Sequence, residues 1–231
     1  LKEFKKTASL GPTKELHRTV VKEYTDHEKL KEYSIGKDLG QGSFALVKLV
    51  TKLSTGIKYA MKIYEISKNN TEELKKNLQN ETQLLKNLNH PNIIKLHDWF
   101  EGNWFIYLIL EYVGPVSLME YLEQHPSSFL TEEEGAHLFH EVAKGLEYLH
   151  KQNIYHRDIK LNNILLGSQG EVKLIDFGFS LKLKEDKKIS AFCGTPSYMA
   201  PEVLSRLPHC PEKGDVWSFG ICVYRALAGQ F

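Results

Sequence analysis

The sequence predicts an α+β fold with two lobes, because a series of strand patterns is followed by a series of helix patterns. Five short segments rich in β-branched and aromatic residues predict a mostly antiparallel sheet: residues 33–40, 45–51, 56–64, 93–100 and 105–112. One helical stripe, residues 71–88, interrupts these strands. After Val113 the pattern turns helical, and a sheet followed by helices implies two packed units with a cleft between them.

Helical periodicity dominates the second lobe. It predicts helices over residues 118–124 and 131–151, and the longer one begins with a capping pattern, Thr131 followed three residues later by Glu134. The first residues of the chain are rich in Lys and Glu without sustained apolar periodicity, so they are interpreted as an extension or linker. The predicted boundaries are 1–32 for this extension and 33–231 for one domain, with a sheet lobe at 33–113 and a helical lobe at 114–231.

Charge and composition are those of an ordinary globular protein. The 231 residues carry 30 Lys and Arg against 29 Asp and Glu, so the basic excess typical of nucleic-acid-binding proteins is missing. No apolar run approaches the roughly 20 residues needed to span a bilayer, and no secretion signal opens the sequence. We therefore expect no nucleic-acid partner, no membrane segment and a cytoplasmic or nuclear location.

The cysteines and histidines do not predict a disulfide or a metal site. Cys193, Cys210 and Cys222 have neither metal-ligand spacing nor a CxxC pair and are interpreted as reduced thiols. His137 and His140 lie three residues apart on a predicted helix, but no third ligand accompanies them. A solvated helix face is therefore favoured over a metal site.

A glycine-rich segment joins the first two predicted strands. Gly40 and Gly42 let the backbone approach phosphates closely and offer amide donors without a side chain in the way. A glycine-rich hairpin turn explains the same residues equally well. Because a strand follows and no Gly-Lys-Ser/Thr is present, neither a Walker loop nor a Rossmann fingerprint is indicated.

Two charged residues occupy positions that the surrounding pattern reserves for apolar ones. Lys62 lies in the middle of an apolar strand, and Glu81 lies within the apolar stripe of the following helix. Each alone is typical of a surface residue. Together they favour a lysine that stays protonated inside a cleft and binds phosphates as a point charge.

A dense polar cluster follows the long predicted helix. In residues 155–166, one His, one Arg, one Asp, one Lys and two Asn come directly before a short apolar strand. Such a polar cluster is unfavourable for stability and typical of a catalytic loop. The next predicted strand ends at Asp176. With Asn163, it supplies the kind of oxygen ligands that Mg²⁺ requires.

These motifs, in this order, resemble the protein kinase family over about residues 33–231. The resemblance implies a two-lobed kinase fold, ATP and Mg²⁺ as cofactors, and transfer of the γ-phosphoryl group of ATP to a protein substrate. The matching motifs are the glycine-rich loop, Ala60-Met61-Lys62, Glu81, His156-Arg157-Asp158, Asn163, Asp176-Phe177-Gly178, Ala200-Pro201-Glu202 and the segment from Asp215 to Gly220.

The resemblance assigns roles to the polar residues of the cleft. Asp158 would accept or orient the proton of the substrate hydroxyl, and Lys160 would contact the γ-phosphate. Lys62 would hold the α- and β-phosphates, with Glu81 locking it in place. Lys160 together with Gly-Thr-Pro-Ser-Tyr at 194–198 is the serine/threonine pattern rather than the tyrosine pattern.

The same resemblance places the metal and the nucleotide. Asn163 and Asp176 would hold Mg²⁺, and Leu110 falls at the gatekeeper position. Backbone groups of Glu111 and Val113 would bind the adenine. The remaining nucleotide-binding positions would be Leu39, Gly40, Gly42, Val47, Ala60 and Leu165.

Several positions depart from the family pattern. Ala45 replaces the third glycine of the loop, as it does in polo-like kinases, and Leu161 replaces the usual proline. Ser117 and Asn162 stand where kinases that prefer basic substrates often carry glutamate. We therefore expect no strong preference for arginine upstream of the target residue.

Some alternatives stay open. An active kinase is favoured over a pseudokinase scaffold because Lys62, Asp158 and Asp176 are intact. Polo-like and calcium/calmodulin- or AMP-activated-like subgroups match about equally, and the protein substrate, the regulatory partner and the oligomeric state are not predicted. We expect the sequence to be a fragment, with the further C-lobe helices and the arginine that normally pairs with Glu202 lying beyond Phe231.

The segment before residue 195 gives one expectation about activation. In the family, an arginine such as Arg157 usually anchors a phosphorylated residue. The position most often phosphorylated is occupied here by Ala191, and Ser190 is the only hydroxyl between Ser180 and Thr195. Ser190 is therefore the predicted activating site if one exists, and otherwise we expect the loop to be held without phosphate.

Overall fold

The sheet of the first lobe agrees with the prediction. The computed structural model describes residues 26–41, 45–66, 71–184 and 187–229. Five strands lie in the order β1-β2-β3-β5-β4, and every neighbouring pair is antiparallel, which confirms the predicted α+β class. These strands are β1 (Tyr33–Gln41), β2 (Ala45–Lys52), β3 (Lys58–Glu65), β4 (Leu96–Glu101) and β5 (Phe105–Glu111).

Alternation along β5 sends its side chains into two apolar clusters. Tyr107 and Ile109 pack with Leu30 on the outer face of the sheet, whereas Ile106 and Leu108 join the larger cluster that continues into the second lobe. All of these side chains are buried. The strand next to β3 is therefore fixed on both faces, which holds the cleft-facing residues of β3 in a constant register.

A single helix of the first lobe, α1 (Thr71–Lys86), lies against the sheet. Its apolar stripe buries Leu78 and Leu85, and Glu81 lies on the same stripe with only 3% of its surface exposed. The predicted helix extended two residues further, to Leu88, which is buried just after the helix ends. The predicted acid within an apolar stripe is therefore found inside the lobe.

The predicted fourth strand begins later than expected. Residues 93–95 precede β4, and Ile93 forms a parallel bridge with Leu174 of the second lobe. The amide of Ile94 donates to the carbonyl of Leu174 at 3.0 Å, and Asn92 Nδ2 donates to the carbonyl of Val172 at 3.0 Å. The first part of this apolar run therefore connects the lobes instead of extending the sheet.

A short segment before β1 packs on the first lobe. Its Glu28–Glu32 stretch forms a 3-10 helix, and Asp26 is buried beside the β4–β5 turn. The carboxylate of Asp26 accepts hydrogen bonds at 2.8 to 3.2 Å from the amides of Asn103, Trp104 and Phe105 and from the hydroxyl of Tyr107. The last part of the predicted 1–32 extension thus contacts the sheet, and residues 1–25 lie outside the described part of the chain.

The second lobe is mainly helical. Ser117 and Glu120 form a capping box at its first helix, and Thr131 and Glu134 form the one that the sequence indicated at the next. Its elements are β6 (Val116–Ser117), α2 (Leu118–Gln124), α3 (Glu132–His150), β7 (Ile154–Tyr155), β8 (Ile164–Leu166), β9 (Val172–Leu174), β10 (Leu181–Lys182), α4 (Pro201–Leu204) and α5 (Pro211–Ala228).

The cysteines and the paired histidines lie in the second lobe. Cys193, Cys210 and Cys222 are free thiols. His137 and His140 are both exposed on α3, and the described residues contain no group of three His, Cys, Asp or Glu side chains that could hold a metal ion by themselves. Across the described ranges, no helix combines the length and apolar character needed to cross a bilayer.

Candidate active site

The loop that follows β7 is fixed by a buried carboxylate on α5. Asp215 is 1% exposed, and its carboxylate accepts hydrogen bonds from the backbone amides of His156 at 2.8 Å and Arg157 at 2.7 Å. His150 Nε2 lies 3.0 Å from the same carboxylate. Because Arg157 has a φ of 65°, which non-glycine residues rarely adopt, these hydrogen bonds stabilise an otherwise unfavourable turn. The backbone that leads into Asp158 is therefore held in place by hydrogen bonds to Asp215 of α5.

Asp158 lies at the centre of a compact hydrogen-bonded group. Thr195 Oγ1 donates to its Oδ1 at 2.7 Å, and Lys160 Nζ lies 2.7 Å from its Oδ2. Asn163 Nδ2 donates to the Asp158 backbone carbonyl at 2.8 Å and to Oδ2 at 3.1 Å. Asp158 is 5% exposed, so its carboxylate is oriented before any substrate binds.

The strand β9 leads directly to a second carboxylate. Asp176 has a φ of 65°, and its side chain keeps 43% of its surface exposed. The following Phe177 is buried, with its ring 4.9 Å from that of His156 in an edge-on contact. His156 Nε2 in turn lies 2.9 Å from the carbonyl of Ile175. The buried Phe177 anchors the turn that leaves Asp176 accessible.

Lys62 connects the two lobes through this carboxylate. Its Nζ lies 2.8 Å from Asp176 Oδ1 and 3.9 Å from Glu81 Oε1, so the sequence-predicted partner is present but is the more distant of the two. The three charges thus form one group in which the lysine is the single cation. The predicted association of Lys62 with Glu81 therefore includes Asp176 as well.

The ionisation of this group follows from burial and from the charges around it. Burial disfavours the Lys62 ammonium, yet the carboxylates of Glu81 and Asp176 hold its pKa well above the usual value. Burial raises the pKa of Glu81, although the positive charge of Lys62 favours the ionised carboxylate. Burial also opposes the charge of Asp176, but Lys62, by attraction and a hydrogen bond, keeps the pKa of Asp176 below its usual value. Lys62 and Asp176 are therefore charged at neutral pH.

The strand register places Val47, Ala60 and Leu110 on one face of the sheet, the face that also carries Lys62. Val47 lies opposite Lys62 on β3 and opposite Gly40 on β1, while Ala60 lies opposite Leu110 on β5. The apolar members are neither fully buried nor exposed, as expected for the walls of a cleft. Partly buried side chains of this set are Leu39, Val47, Ala60, Leu110, Val113 and Leu165. The predicted site residue Gly42 lies outside the described residues.

Glu111, the first residue after the gatekeeper position, is held on both sides. Its amide donates to the carbonyl of Lys95 at 2.9 Å, and its carboxylate lies 3.0 Å from Lys173 Nζ. This amide is therefore already paired. The backbone carbonyl of Glu111 and the groups of Val113 are the main-chain atoms to consider for binding a planar base there.

Oxygen donors near Asp158 suit a hard cation. The Asn163 amide nitrogen is used in hydrogen bonds to Asp158, so its Oδ1 is the atom suited to a metal ion, and Asp176 contributes an ionised carboxylate. Mg²⁺ typically takes one or two such protein ligands together with phosphate oxygens and water. The residues present therefore fit Mg²⁺ bound together with a nucleotide.

Two contacts at this site have little signal in the sequence. Asp215 belongs to a segment that resembles the family, but nothing near it in the sequence predicts that it binds the amides of His156 and Arg157. The only signal was an acid early in a largely apolar helix. The hydrogen bond from Thr195 to Asp158 joins residues 37 positions apart and has no local signal.

This cleft belongs to a known class. Residues 33–231 match the family profile of the protein kinase domain, and the chain is a member of that family. Protein kinases use ATP as the phosphoryl donor and Mg²⁺ as the cofactor.

Several protein kinases are similar in sequence to this chain. The chain is 40% identical over 200 residues to the SNF1-related protein kinase catalytic subunit alpha KIN12 of Arabidopsis thaliana, covering 87% of this chain and 40% of the relative. It is 35% identical to serine/threonine-protein kinase PLK4 of Danio rerio, covering 88% of this chain and 22% of the relative. It is also 35% identical to CBL-interacting protein kinase 9 of Oryza sativa subsp. japonica, covering 87% and 44%. The chain spans less than half the length of each.

Proposed function

We propose that this protein is an active serine/threonine protein kinase, which transfers the γ-phosphoryl group of ATP to a serine or threonine hydroxyl of another protein. One observation carries the proposal: the Asp158 carboxylate is held between Thr195 Oγ1 and Lys160 Nζ, at 2.7 Å from each. A carboxylate fixed in this way can accept a proton, and the adjacent ammonium can stabilise a phosphoryl group. Family membership supports the same conclusion.

In the proposed reaction, the oxygen of the acceptor hydroxyl attacks the γ-phosphorus of ATP. At the same time, the bond breaks between the γ-phosphorus and the oxygen that joins it to the β-phosphate. The hydroxyl proton passes to Asp158, and ADP leaves. Lys160 stabilises the charge on the transferred group, and Lys62, held by Glu81, binds the α- and β-phosphates. Most of the catalysis is therefore positioning and charge stabilisation by groups that are already in place.

The metal and nucleotide positions are part of the same proposal. Asn163 and Asp176 would hold Mg²⁺, which neutralises charge on the phosphates when it is bound. The adenine would lie between the two lobes, beside the main chain of Glu111 and Val113. The remaining positions assigned to the nucleotide are Leu39, Gly40, Gly42, Val47, Ala60 and Leu165.

The surroundings of the cleft bear on substrate choice and on location. Ser117 is 6% exposed and its hydroxyl caps α2 with Glu120, so it offers no carboxylate to an arginine of the substrate. This supports the expectation that upstream arginine is not strongly preferred. We also propose a protein substrate and a cytoplasmic or nuclear location.

A matched acceptor series tests the proposed activity. The protein would be incubated with Mg²⁺ and γ-labelled ATP and with three peptides that differ only in carrying Ser, Thr or Tyr at one position. We expect label on the Ser and Thr peptides and at least about tenfold less on the Tyr peptide. Label on none of the three, or preferential label on the Tyr peptide, would overturn the assignment.

A further inference from the structure

The segment between Phe177 and Thr195, here called the activation segment, is joined to the loop between α4 and α5. Ile189 and His209 form an antiparallel bridge in which the Ile189 amide donates to the His209 carbonyl at 3.0 Å and the His209 amide donates back at 2.9 Å. His209 is 5% exposed, and its Nδ1 lies 2.8 Å from the carbonyl of Leu207. A buried ring thus fixes the α4–α5 side of the bridge.

A second contact joins the same loop to the activation segment. The guanidinium of Arg206 lies 5.0 Å from the ring centroid of Phe192, within the range of a cation–π interaction. Phe192 is 43% exposed, so this contact covers an apolar side chain that is otherwise open to solvent. Arg206 has a φ of 55°, a conformation that non-glycine residues adopt at an energetic cost and that persists where neighbouring contacts hold it.

The arginine expected to bind an activating phosphate is differently engaged. Arg157 Nε donates to the carbonyl of Phe179 at 2.7 Å, within the activation segment itself. Arg157, Ala191 and His209 line one small cavity beneath that segment. Residue 191 carries no hydroxyl, so a phosphate cannot form at this position beside Arg157.

We propose that the α4–α5 loop is a clamp that orders the activation segment without a phosphate, with Arg206 and His209 as positioning residues for the protein acceptor. The clamp contacts Ile189 and Phe192, and the segment then continues to Thr195, which touches Asp158. Loosening the clamp should therefore displace the surface that receives the acceptor. The nucleotide contacts of Lys62 lie on the other lobe and should be unaffected. This inference rests on the proposed kinase function.

Paired variants at Ile189 test the bridge. Ile189→Pro removes the amide donor to His209, whereas Ile189→Ala shortens the side chain and keeps that donor. Loss of one such hydrogen bond corresponds to about a three- to tenfold effect on an equilibrium. We expect Ile189→Pro to raise the KM for a protein acceptor by about that factor, with the KM for ATP unchanged, and Ile189→Ala to stay close to the parent.

Variants at Arg206 test the second contact independently. Arg206→Ala removes the cation above Phe192, and Arg206→Lys keeps a cation and so should restore part of the effect. Arg206→Gly relieves the left-handed backbone but also loses the cation, so it should behave like Arg206→Ala if the ring contact matters. Equal acceptor KM values for the parent, Arg206→Ala and Ile189→Pro would overturn the proposal.

Limited trypsin digestion separates this inference from the proposed activity. The activation segment offers exposed trypsin sites at Lys182, Lys184 and Lys187. Lys188 is left out because trypsin does not cleave before the proline that Ile189→Pro introduces. We expect cleavage there to be faster in Ile189→Pro and Arg206→Ala than in Ile189→Ala, in dephosphorylated protein. This readout reports on the clamp even if no phosphoryl transfer were observed. Unchanged cleavage in both variants would contradict the clamp whatever the activity assay gives.

Discussion

The cleft and the activation segment are held in different ways. In and directly behind the cleft, three acidic side chains are buried, and each has a polar partner: Glu81, Asp158 and Asp215 are 3%, 5% and 1% exposed. In the activation segment, Ser190 is exposed and Phe192 keeps 43% of its surface accessible. The difference indicates that the geometry of the chemical groups is set by the interior of the two lobes. The activation segment is held instead by a few contacts at the exterior of the protein.

Physical chemistry explains why the two regions respond differently to substitution. Removing one partner of a buried ion pair typically costs about 3 to 5 kcal/mol, because the remaining charge stays out of water. Substitution of an exposed side chain usually changes stability by less than about 0.5 kcal/mol. The comparison therefore predicts large effects from cleft substitutions and small effects from single exposed positions in the activation segment.

Asp215→Asn should have the largest effect on stability. The variant keeps the size of the side chain but loses the charge and an acceptor that serve His156, Arg157 and His150. We expect the free energy of unfolding to fall by about 3 kcal/mol. Asp98→Asn is the matched control, since Asp98 pairs with Lys29 near the surface and the substitution should cost under about 1 kcal/mol. Similar thermal transitions for both variants would show that Asp215 does not anchor the catalytic loop.

Lys62→Met should change the pH dependence of stability. Without the lysine, buried Glu81 loses the nearby cation, so its pKa should rise further above that of the unfolded chain. A folded state that binds a proton which the unfolded state has released becomes less stable as pH rises. As pH rises above the ordinary pKa of a glutamate, the free energy of unfolding of this variant should therefore fall more steeply than that of the parent.

The control for this experiment is Lys75→Met, which removes a lysine that pairs with Glu101 at the surface. Denaturant titrations at several pH values should give this control the same pH slope as the parent. Parallel slopes for Lys62→Met and the parent would mean that Glu81 is not held in a buried, lysine-dependent state.

Ser190→Ala should have the smallest effect. Ser190 is exposed and directly follows Ile189, whose backbone is already bridged to His209. If the bridge orders the segment, transfer rates of the parent, the phosphatase-treated parent and Ser190→Ala should agree within about twofold. A large loss shared by the phosphatase-treated parent and Ser190→Ala would instead make Ser190 an activating phosphorylation site and would limit the role of the clamp.

Local patterns were sufficient for much of the fold and for the groups at the centre of the site. The five strands follow from β-branched and aromatic runs, and Lys62 and Glu81 were visible because each interrupts an apolar pattern. Ile93 was placed in a strand because its neighbours are apolar, yet it pairs with Leu174 across the lobes.

Contacts between distant parts of the chain account for what the sequence did not predict. Asp215 binds a loop almost 60 residues earlier, and the bridge between Ile189 and His209 joins two irregular segments. Neither leaves a periodic signal. The direct contact of Lys62 with Asp176, which is closer than that with Glu81, depends on how the lobes approach one another and also has no local signature.

The most direct test of an active phosphoryl-transfer site is the Asp158→Asn variant, measured for transfer and for nucleotide binding in the same preparation. Asparagine keeps the shape of the side chain but is a far weaker base. Mg-ATP binding should therefore stay within about twofold of the parent, while phosphate incorporation into a Ser/Thr acceptor falls by at least about 10²-fold. Equal incorporation by the variant and the parent would contradict the account.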